Sequence, residues 1–233
     1  HSLLTSAAIA RGPMPPISNI AVWHTIALEL LIFCVLTPFL RVRGWTLGRL
    51  GIRPSLRGCL DGVVLAIAAY ALYFGLAVTV ASVWPAVAHA LAQTRLVGHG
   101  LSWAAIAAGS IINPFYEEIF VCGYVISVLT ERRAGAAMAL PGSMRQDGTE
   151  AVGGDLSSAG RPYSAQAAGL ATAVNVSAAI RLSCHLYQGV AGVLTAVPVG
   201  LLFGAWFART RRLWPLIVAH AVLDLVALAA GAR

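Results

Sequence analysis

Six long apolar segments dominate this sequence, and they constrain its fold more than any other feature. They span residues 17–40, 60–84, 101–130, 166–187, 190–208 and 213–230. About 20 apolar residues suffice to cross a bilayer as a helix, because a helix satisfies its own backbone hydrogen bonds where water is absent. The sequence therefore predicts an all-α fold, a polytopic transmembrane helix bundle of about six spans.

The composition excludes an ordinary soluble domain. Hydrophobic residues make up 58% of the 233 residues and charged residues only 11%, with a mean hydropathy of +0.78. Soluble domains carry about 25% charged residues, so this chain could not cover a globule with polar surface. The four cysteines show no paired spacing and predict no disulfide framework.

The basic residues are all arginines, and most of them lie in three connections between the apolar segments, at 41–58, 131–165 and 209–212. Arginine-rich loops stay in the cytoplasm, so these connections are predicted to be cytoplasmic, with both ends of the given chain outside. This topology explains the net charge of +7 without a nucleic-acid partner. The Arg- and Ala-rich composition is typical of a high-GC bacterium, so we expect a multi-pass protein of the bacterial inner membrane.

The same pattern predicts the domain organisation. Residues 1–16 form an N-terminal extracytoplasmic segment, and residues 17–230 form one transmembrane domain. Segment 131–165 is rich in Gly, Ser, Asp and Gln and is predicted to be a flexible cytoplasmic loop. Pro114 interrupts the third apolar segment and predicts a kink there.

Ionisable residues inside the apolar segments are the strongest functional signal. A charged side chain at mid-membrane costs roughly 2.5–3.5 kcal/mol on insertion scales, so such residues are usually kept for function. Three segments carry a pair each: Glu117 and Glu118, Arg181 and His185, and His220 and Asp224. The second and third pairs are four residues apart and share a helical face.

The adjacent glutamates differ from the other two pairs. Glu117 and Glu118 point about 100° apart on a helix, so one can face a reaction cavity while the other contacts a neighbouring helix. Two further acids are interpreted structurally. Glu29 is expected to be a helix-contact residue in preference to a catalytic one, and Asp61 is expected to cap the start of the second helix.

Three sequence stretches resemble the motifs of a known family. They are PFYEEIFVCGY at 114–124, RLSCHLYQG at 181–189 and LWPLIVAHAVLD at 213–224. In order and on separate spans, they are similar to the EExxxR, FxxxH and HxxxN/D motifs of the CAAX prenyl protease 2 family, also called the Abi or CPBP family. The resemblance extends over roughly residues 46–230, with TLGRLGIRPS at 46–55 as a further match.

The resemblance implies a role for each matched residue. Glu117 corresponds to the family's general base, and His185 to the histidine that shares the nucleophilic water. His220 and the residue four positions on, Asp224, correspond to the pair that stabilises the oxyanion. Glu118 corresponds to a second, structural glutamate. A carboxylate in a water-poor site can take a proton from water, while imidazoles can donate to developing negative charge.

Two departures from the family pattern accompany the match. Cys122 stands in place of the EExxxR arginine, and Arg181 in place of the FxxxH phenylalanine. We hypothesise that these form a single change, in which Arg181 pairs with Glu118 from the facing helix. The third motif ends in Asp224, and an ionised Asp cannot donate a hydrogen bond as Asn can. Asp224 is therefore expected to orient His220 and hold it protonated.

The function predicted from this resemblance is an intramembrane endopeptidase of the glutamic type, acting on a membrane-tethered peptide or protein. The family's name implies a prenylated substrate. No cofactor is expected. A zinc protease using Glu117, His185, His220 and Asp224 as ligands remains an alternative, although no HExxH motif is present. Two non-enzymatic alternatives are a scaffold or immunity protein on the same fold and a proton-coupled transporter. No inverted repeat favours the transporter.

Overall fold

A computed structural model describes residues 17–85, 100–131 and 161–230. The predicted segment 1–16 and most of the predicted loop 131–165 lie outside this described part. All regular structure within it is helical, which confirms the predicted all-α bundle. The helices are α1 Asn19–Val42, α2 Leu56–Val83, α3 Trp103–Glu117, α4 Arg161–His185, α5 Gly189–Thr210 and α6 Trp214–Ala230.

Length and hydropathy identify this chain as a multi-pass membrane protein. Five helical stretches are long and apolar enough to cross a membrane. These are α1, α2, the stretch Trp103–Glu131, and the parts Ala167–His185 of α4 and Gly192–Thr210 of α5. The apolar helix α6 is shorter, at 17 residues. The predicted spans agree with these helices to within a few residues, except that α4 begins earlier, at Arg161, inside the predicted loop.

The arginine-rich connections meet at one end of the bundle. Leu213 donates its backbone N–H to the carbonyl of Gly51 at 2.9 Å, and Arg212 pairs with Asp61 at 2.7 Å. Arg49 pairs with Glu131 at 2.7 Å. One end of the bundle therefore holds the connection after α1, the end of the third span and the turn before α6. It is here called the arginine end, and this grouping agrees with the predicted topology.

The expected cap at Asp61 is wrong. Helix α2 begins at Leu56, four residues before the predicted segment, and Ser55 is its N-cap, accepting from the backbone N–H of Gly58. Asp61 therefore lies in the second turn, where its carboxylate meets Arg212. The apolar run shows where the membrane-facing residues begin. The helix itself begins earlier, directly after Ser55, whose hydroxyl can accept a hydrogen bond from a first-turn N–H.

The core lies where the third span, α5 and α6 meet. Phe203, Phe207, Leu213 and Leu216 are fully buried there, while α1 and α2 keep large apolar side chains exposed on their outer faces. In a bilayer those outer faces contact lipid. Close helix packing depends on small residues: a Cβ on Gly62 would lie 2.7 Å from the carbonyl oxygen of Pro215.

The third span changes its winding in the middle. Helix α3 ends at Glu117, and residues Glu118–Ile126 form a π-helical segment. Helix α3 continues through Pro114, where a kink was predicted, and the wider helical turn begins four residues later. Short π-helical segments are rare and frequently occur at functional sites. Here the change of winding falls between the two adjacent glutamates.

Candidate active site

A buried triad joins three helices at the start of the π-helical segment. Glu118 Oε1 accepts hydrogen bonds from Arg181 Nη2 at 2.5 Å and from His220 Nδ1 at 2.7 Å. The side chain of Glu118 is fully buried, and those of Arg181 and His220 are 2% and 7% exposed. The contact between Arg181 and Glu118 expected from the sequence is therefore present, and His220 joins it.

The Arg181 guanidinium extends from the triad towards the other glutamate. Its Nη1 donates to Glu117 Oε2 at 3.0 Å, so one cation bridges both adjacent carboxylates. It also lies 5.7 Å from the ring centroid of Phe203. Gly200 lets α5 pack closely against α4 beside Arg181, because a Cβ there would lie 3.1 Å from Ala178 Cα.

Cys122, which stands where the family motif has arginine, is fully buried beside the triad's helix interface. Its sulfur lies 3.9 Å from Ser177 Oγ, and that hydroxyl donates to the backbone carbonyl of Val121 at 3.0 Å. A small side chain at this position thus lets α4 approach the π-helical segment. The same approach brings Arg181, one turn further along α4, to the glutamates.

On the other side of Glu117 lies a cavity of about 420 Å³, here called the outer cavity. Its lining residues with a carboxylate, an imidazole or an amide are Glu29, Asn113, Glu117, His185, Gln188 and Asp224. The lining runs from Ile17 and Leu228, near the end of the bundle opposite the arginines, down to Glu117 in the middle of its span. With the predicted topology, the cavity lies in the extracytoplasmic half of the bilayer.

His185 is the last residue of α4 and faces the outer cavity. Its Nδ1 lies 2.9 Å from the backbone carbonyl oxygen of Arg181. Because a carbonyl only accepts, this contact assigns the hydrogen to Nδ1 and leaves the Nε2 lone pair of a neutral ring available. Helix α4 stops here in a short 3₁₀ turn, Leu186–Gln188, so the ring lies at a helix end.

Asp224 is held from two directions. Asn113 Nδ2 donates to its Oδ2 at 2.9 Å, and His220 Nε2 lies 3.5 Å from its Oδ1. Asp224 and Asn113 line the outer cavity, whereas His220 is not among its lining residues. The imidazole of His220 therefore has a carboxylate at each nitrogen, that of Glu118 behind it and that of Asp224 towards the cavity.

The six ionisable residues predicted from the sequence converge, but they divide into two groups. Glu118, Arg181 and His220 form the buried triad; Glu117, His185 and Asp224 face the outer cavity. Sequence analysis missed Asn113. Its signal was available, because it lies four residues before Glu117 and so on the same helical face. Glu29 also lines the cavity, where a helix-contact role was predicted.

The four residues that the zinc alternative would use as ligands are not arranged around one point. In the described part of the chain, no three His, Cys, Asp or Glu side chains are placed to hold a metal ion. The position between the two glutamates is taken by the guanidinium of Arg181, which a second cation would have to displace. His220 directs one nitrogen away from the cavity, towards Glu118. The donors present do not fit a zinc site.

Comparison with known proteins agrees with the resemblance drawn from the motifs. Residues 156–226 match the family model described as type II CAAX prenyl endopeptidase Rce1-like. No curated protein and no solved structure matches the chain. The matched range contains Arg181, His185, His220 and Asp224, while Glu117 and Glu118 precede it. Over these residues the match supports the family suspected from the sequence and, at the level of the family, a CAAX-protease-like membrane endopeptidase.

Proposed function

We propose that this chain, whose C-terminal part matches the Rce1-like family, hydrolyses a peptide bond of a membrane-tethered peptide or protein inside the outer cavity. The observation that supports this best is that Glu117 and His185 face one cavity, while Arg181 holds Glu117 from behind. A carboxylate and an imidazole at one cavity wall are the groups needed to bind and deprotonate a water molecule.

In the proposed reaction, Glu117 takes a proton from water while Nε2 of His185 accepts the other hydrogen of that water in a hydrogen bond. The water oxygen bonds to the substrate carbonyl carbon, and the carbonyl oxygen becomes an oxyanion. When the carbon–nitrogen bond breaks, the proton held by Glu117 passes to the leaving amine. Water is consumed, and an acid and an amine are formed, so atoms and charge balance.

We assign stabilisation of the oxyanion to Asn113. Its amide carries two N–H groups, of which one donates to Asp224 and the other is left for a ligand in the cavity. Asp224 itself cannot donate when ionised, and His220 reaches the cavity only through Asp224. The family's oxyanion pair is therefore modified in this proposal: Asp224 and His220 act as positioning residues for the amide of Asn113.

The protease is proposed to be metal-free, because the guanidinium of Arg181 stands where a metal shared by the two glutamates would lie. Cleavage should then persist in the presence of a chelator. Loss of cleavage on chelation, with recovery on adding zinc, would contradict this assignment. The bacterial inner membrane is the proposed location, with substrates reaching the cavity from the extracytoplasmic half of the bilayer.

The test is cleavage of membrane-tethered peptides by the full chain in proteoliposomes, in water enriched in ¹⁸O. Wild type should release products whose new carboxylate carries ¹⁸O, and Glu117→Gln should release few or none. If folded wild type cleaves none of a broad set of tethered peptides, the proposal that this chain is a protease is contradicted. Proton-coupled uptake without cleavage would instead support a transporter.

A further inference from the structure

Glu29 is the buried ionisable group in the outer cavity that the proposed chemistry leaves unused. It shares the inner face of α1 with Val22 and Ile26, at spacings of four and three residues, so it points into the bundle. It lies roughly 15 Å along α1 from Asn19, at ~1.5 Å per residue, and is 6% exposed. Its Oε2 is buried with no hydrogen-bond partner among the described residues.

A carboxylate in this position needs a partner. Burying an ionised acid away from water is costly unless a cation or hydrogen-bond donors meet it. Its neighbours around the cavity are unsuited: the other acids lining the wall are Glu117 and Asp224, and no arginine is found among the described lining residues. Arg181 lies behind Glu117 and already contacts both Glu117 and Glu118.

Two of the other donors on the wall already have partners. The amide of Asn113 is bonded to Asp224, and His185 bonds through Nδ1 to its own helix. Glu29, Glu117 and Asp224 therefore give the outer cavity an excess of carboxylates over cationic groups. A cavity lined by one sign of charge favours a ligand of the opposite sign.

We propose that Glu29 is a specificity-determining residue that binds the cationic side chain of a Lys or Arg in the substrate. This proposal rests on the proposed function, since it places a peptide in the outer cavity. Glu29 and the proposed base Glu117 lie on different helices around one cavity, so a bound chain can reach both. The site selects peptides that carry a basic residue near the bond that is cleaved.

The experiment measures binding of N-acetylated apolar peptides to the full chain in nanodiscs. One peptide series carries a single Lys, moved position by position, and the matched series carries norleucine, its uncharged analogue. The protein carries Glu117→Gln to prevent cleavage, alone or together with Glu29→Gln. The control is Glu117→Gln with Glu131→Gln, which removes an exposed carboxylate at the arginine end.

In the Glu117→Gln protein, the best Lys peptide should bind at least tenfold more tightly than its norleucine match, or about 1.4 kcal/mol. Glu29→Gln should abolish that preference and leave norleucine binding unchanged, whereas Glu131→Gln should preserve the preference. A Lys preference that is absent, or unchanged by Glu29→Gln in a folded protein, would overturn the proposal.

The two proposals fail separately. If wild type cleaves tethered peptides but binds Lys and norleucine peptides equally, the protease stands and the Glu29 site is wrong. If the Lys preference depends on Glu29 but wild type cleaves nothing, the cation site stands and the protease is wrong.

Discussion

The buried triad and the outer cavity lie on opposite sides of one pair of glutamates and differ in what surrounds each carboxylate. In the triad, Glu118 is enclosed by a guanidinium and an imidazole, both nearly inaccessible. In the cavity, the carboxylates of Glu29, Glu117 and Asp224 outnumber the cationic groups that contact them. One side is occupied by the protein's own groups, and the other has room for a ligand.

This difference shows how the adjacent glutamates Glu117 and Glu118 can have separate roles. Adjacent residues on a helix point about 100° apart, so the two carboxylates project to different surroundings although they are neighbours in sequence. Arg181 touches both and couples the two sides. We therefore expect substitutions in the triad to act mainly on the free energy of unfolding, and substitutions in the cavity to act mainly on cleavage.

The largest effect is expected from Arg181→Ala. It leaves Glu118 buried without its cation, and removing one partner of a buried ion pair costs about 3–5 kcal/mol. Denaturant titration in detergent micelles measures this loss. Arg212→Ala, which breaks a partly exposed pair with Asp61, is the control and should cost about 0–1 kcal/mol.

Restoring the family's arginine position sharpens the same test. Arg181→Phe alone should lose stability as Arg181→Ala does, because Glu118 is again unpaired. Adding Cys122→Arg, four residues after Glu118 on its own helix, should recover much of that loss. A double variant no more stable than Arg181→Phe would show that the two departures from the motif are independent.

On the cavity side, His185→Ala should reduce kcat/KM for a tethered peptide by roughly 10²–10⁴-fold, the usual range for a group that assists proton transfer. Stability should change little, because the ring lies at a helix end facing open space. His24→Ala is the matched control, since His24 is exposed on the outer face of α1. Equal activity of the two variants would remove His185 from the mechanism.

A smaller effect, about a hundredfold in kcat, is expected for Asn113→Ala, since it removes one proposed oxyanion donor. Asp224→Asn introduces an amide next to the lost one, so the double variant Asn113→Ala with Asp224→Asn should be more active than Asn113→Ala alone. Steady-state kinetics of the two variants checks this. Failure of Asp224→Asn to rescue would indicate that Asn113 only supports Asp224.

The cavity's orientation can be checked without any effect on stability. Cys184 lines the outer cavity and is exposed. In right-side-out vesicles, a membrane-impermeant maleimide should label it from the extracytoplasmic side. Cys184→Ser is the control that identifies the labelled site. Labelling of Cys184 only from the cytoplasmic side would reverse the topology inferred from the arginines.

Much of the fold could be predicted from sequence because hydropathy and arginine placement report directly on the bilayer. The start of α2 at Leu56 could not be located by hydropathy, since it depends on the polar cap Ser55, which lies outside the apolar run. The π-helical segment was also missed, because its residues are as apolar as those of an ordinary helix.

For the candidate site, charge inside an apolar span was enough to identify the ionisable residues. It did not show which of them belong to the buried triad and which face the outer cavity. The pairing of Arg181 with Glu118 could be predicted, since each buried charge needs an opposite charge. Asn113 is neutral and was missed, although its spacing of four residues from Glu117 placed it on the same helical face. Glu29 was expected to be a helix-contact residue, and the sequence did not show that a cavity adjoins it.

The most direct measurement compares Glu117→Gln and Glu118→Gln, the same isosteric change at adjacent positions, for both cleavage and unfolding. Glu117→Gln should unfold like wild type but cleave at least a hundredfold more slowly. Glu118→Gln should unfold at lower denaturant, because its charge no longer balances the buried Arg181. Wild-type cleavage by a folded Glu117→Gln protein would contradict the assignment of the chemistry to Glu117.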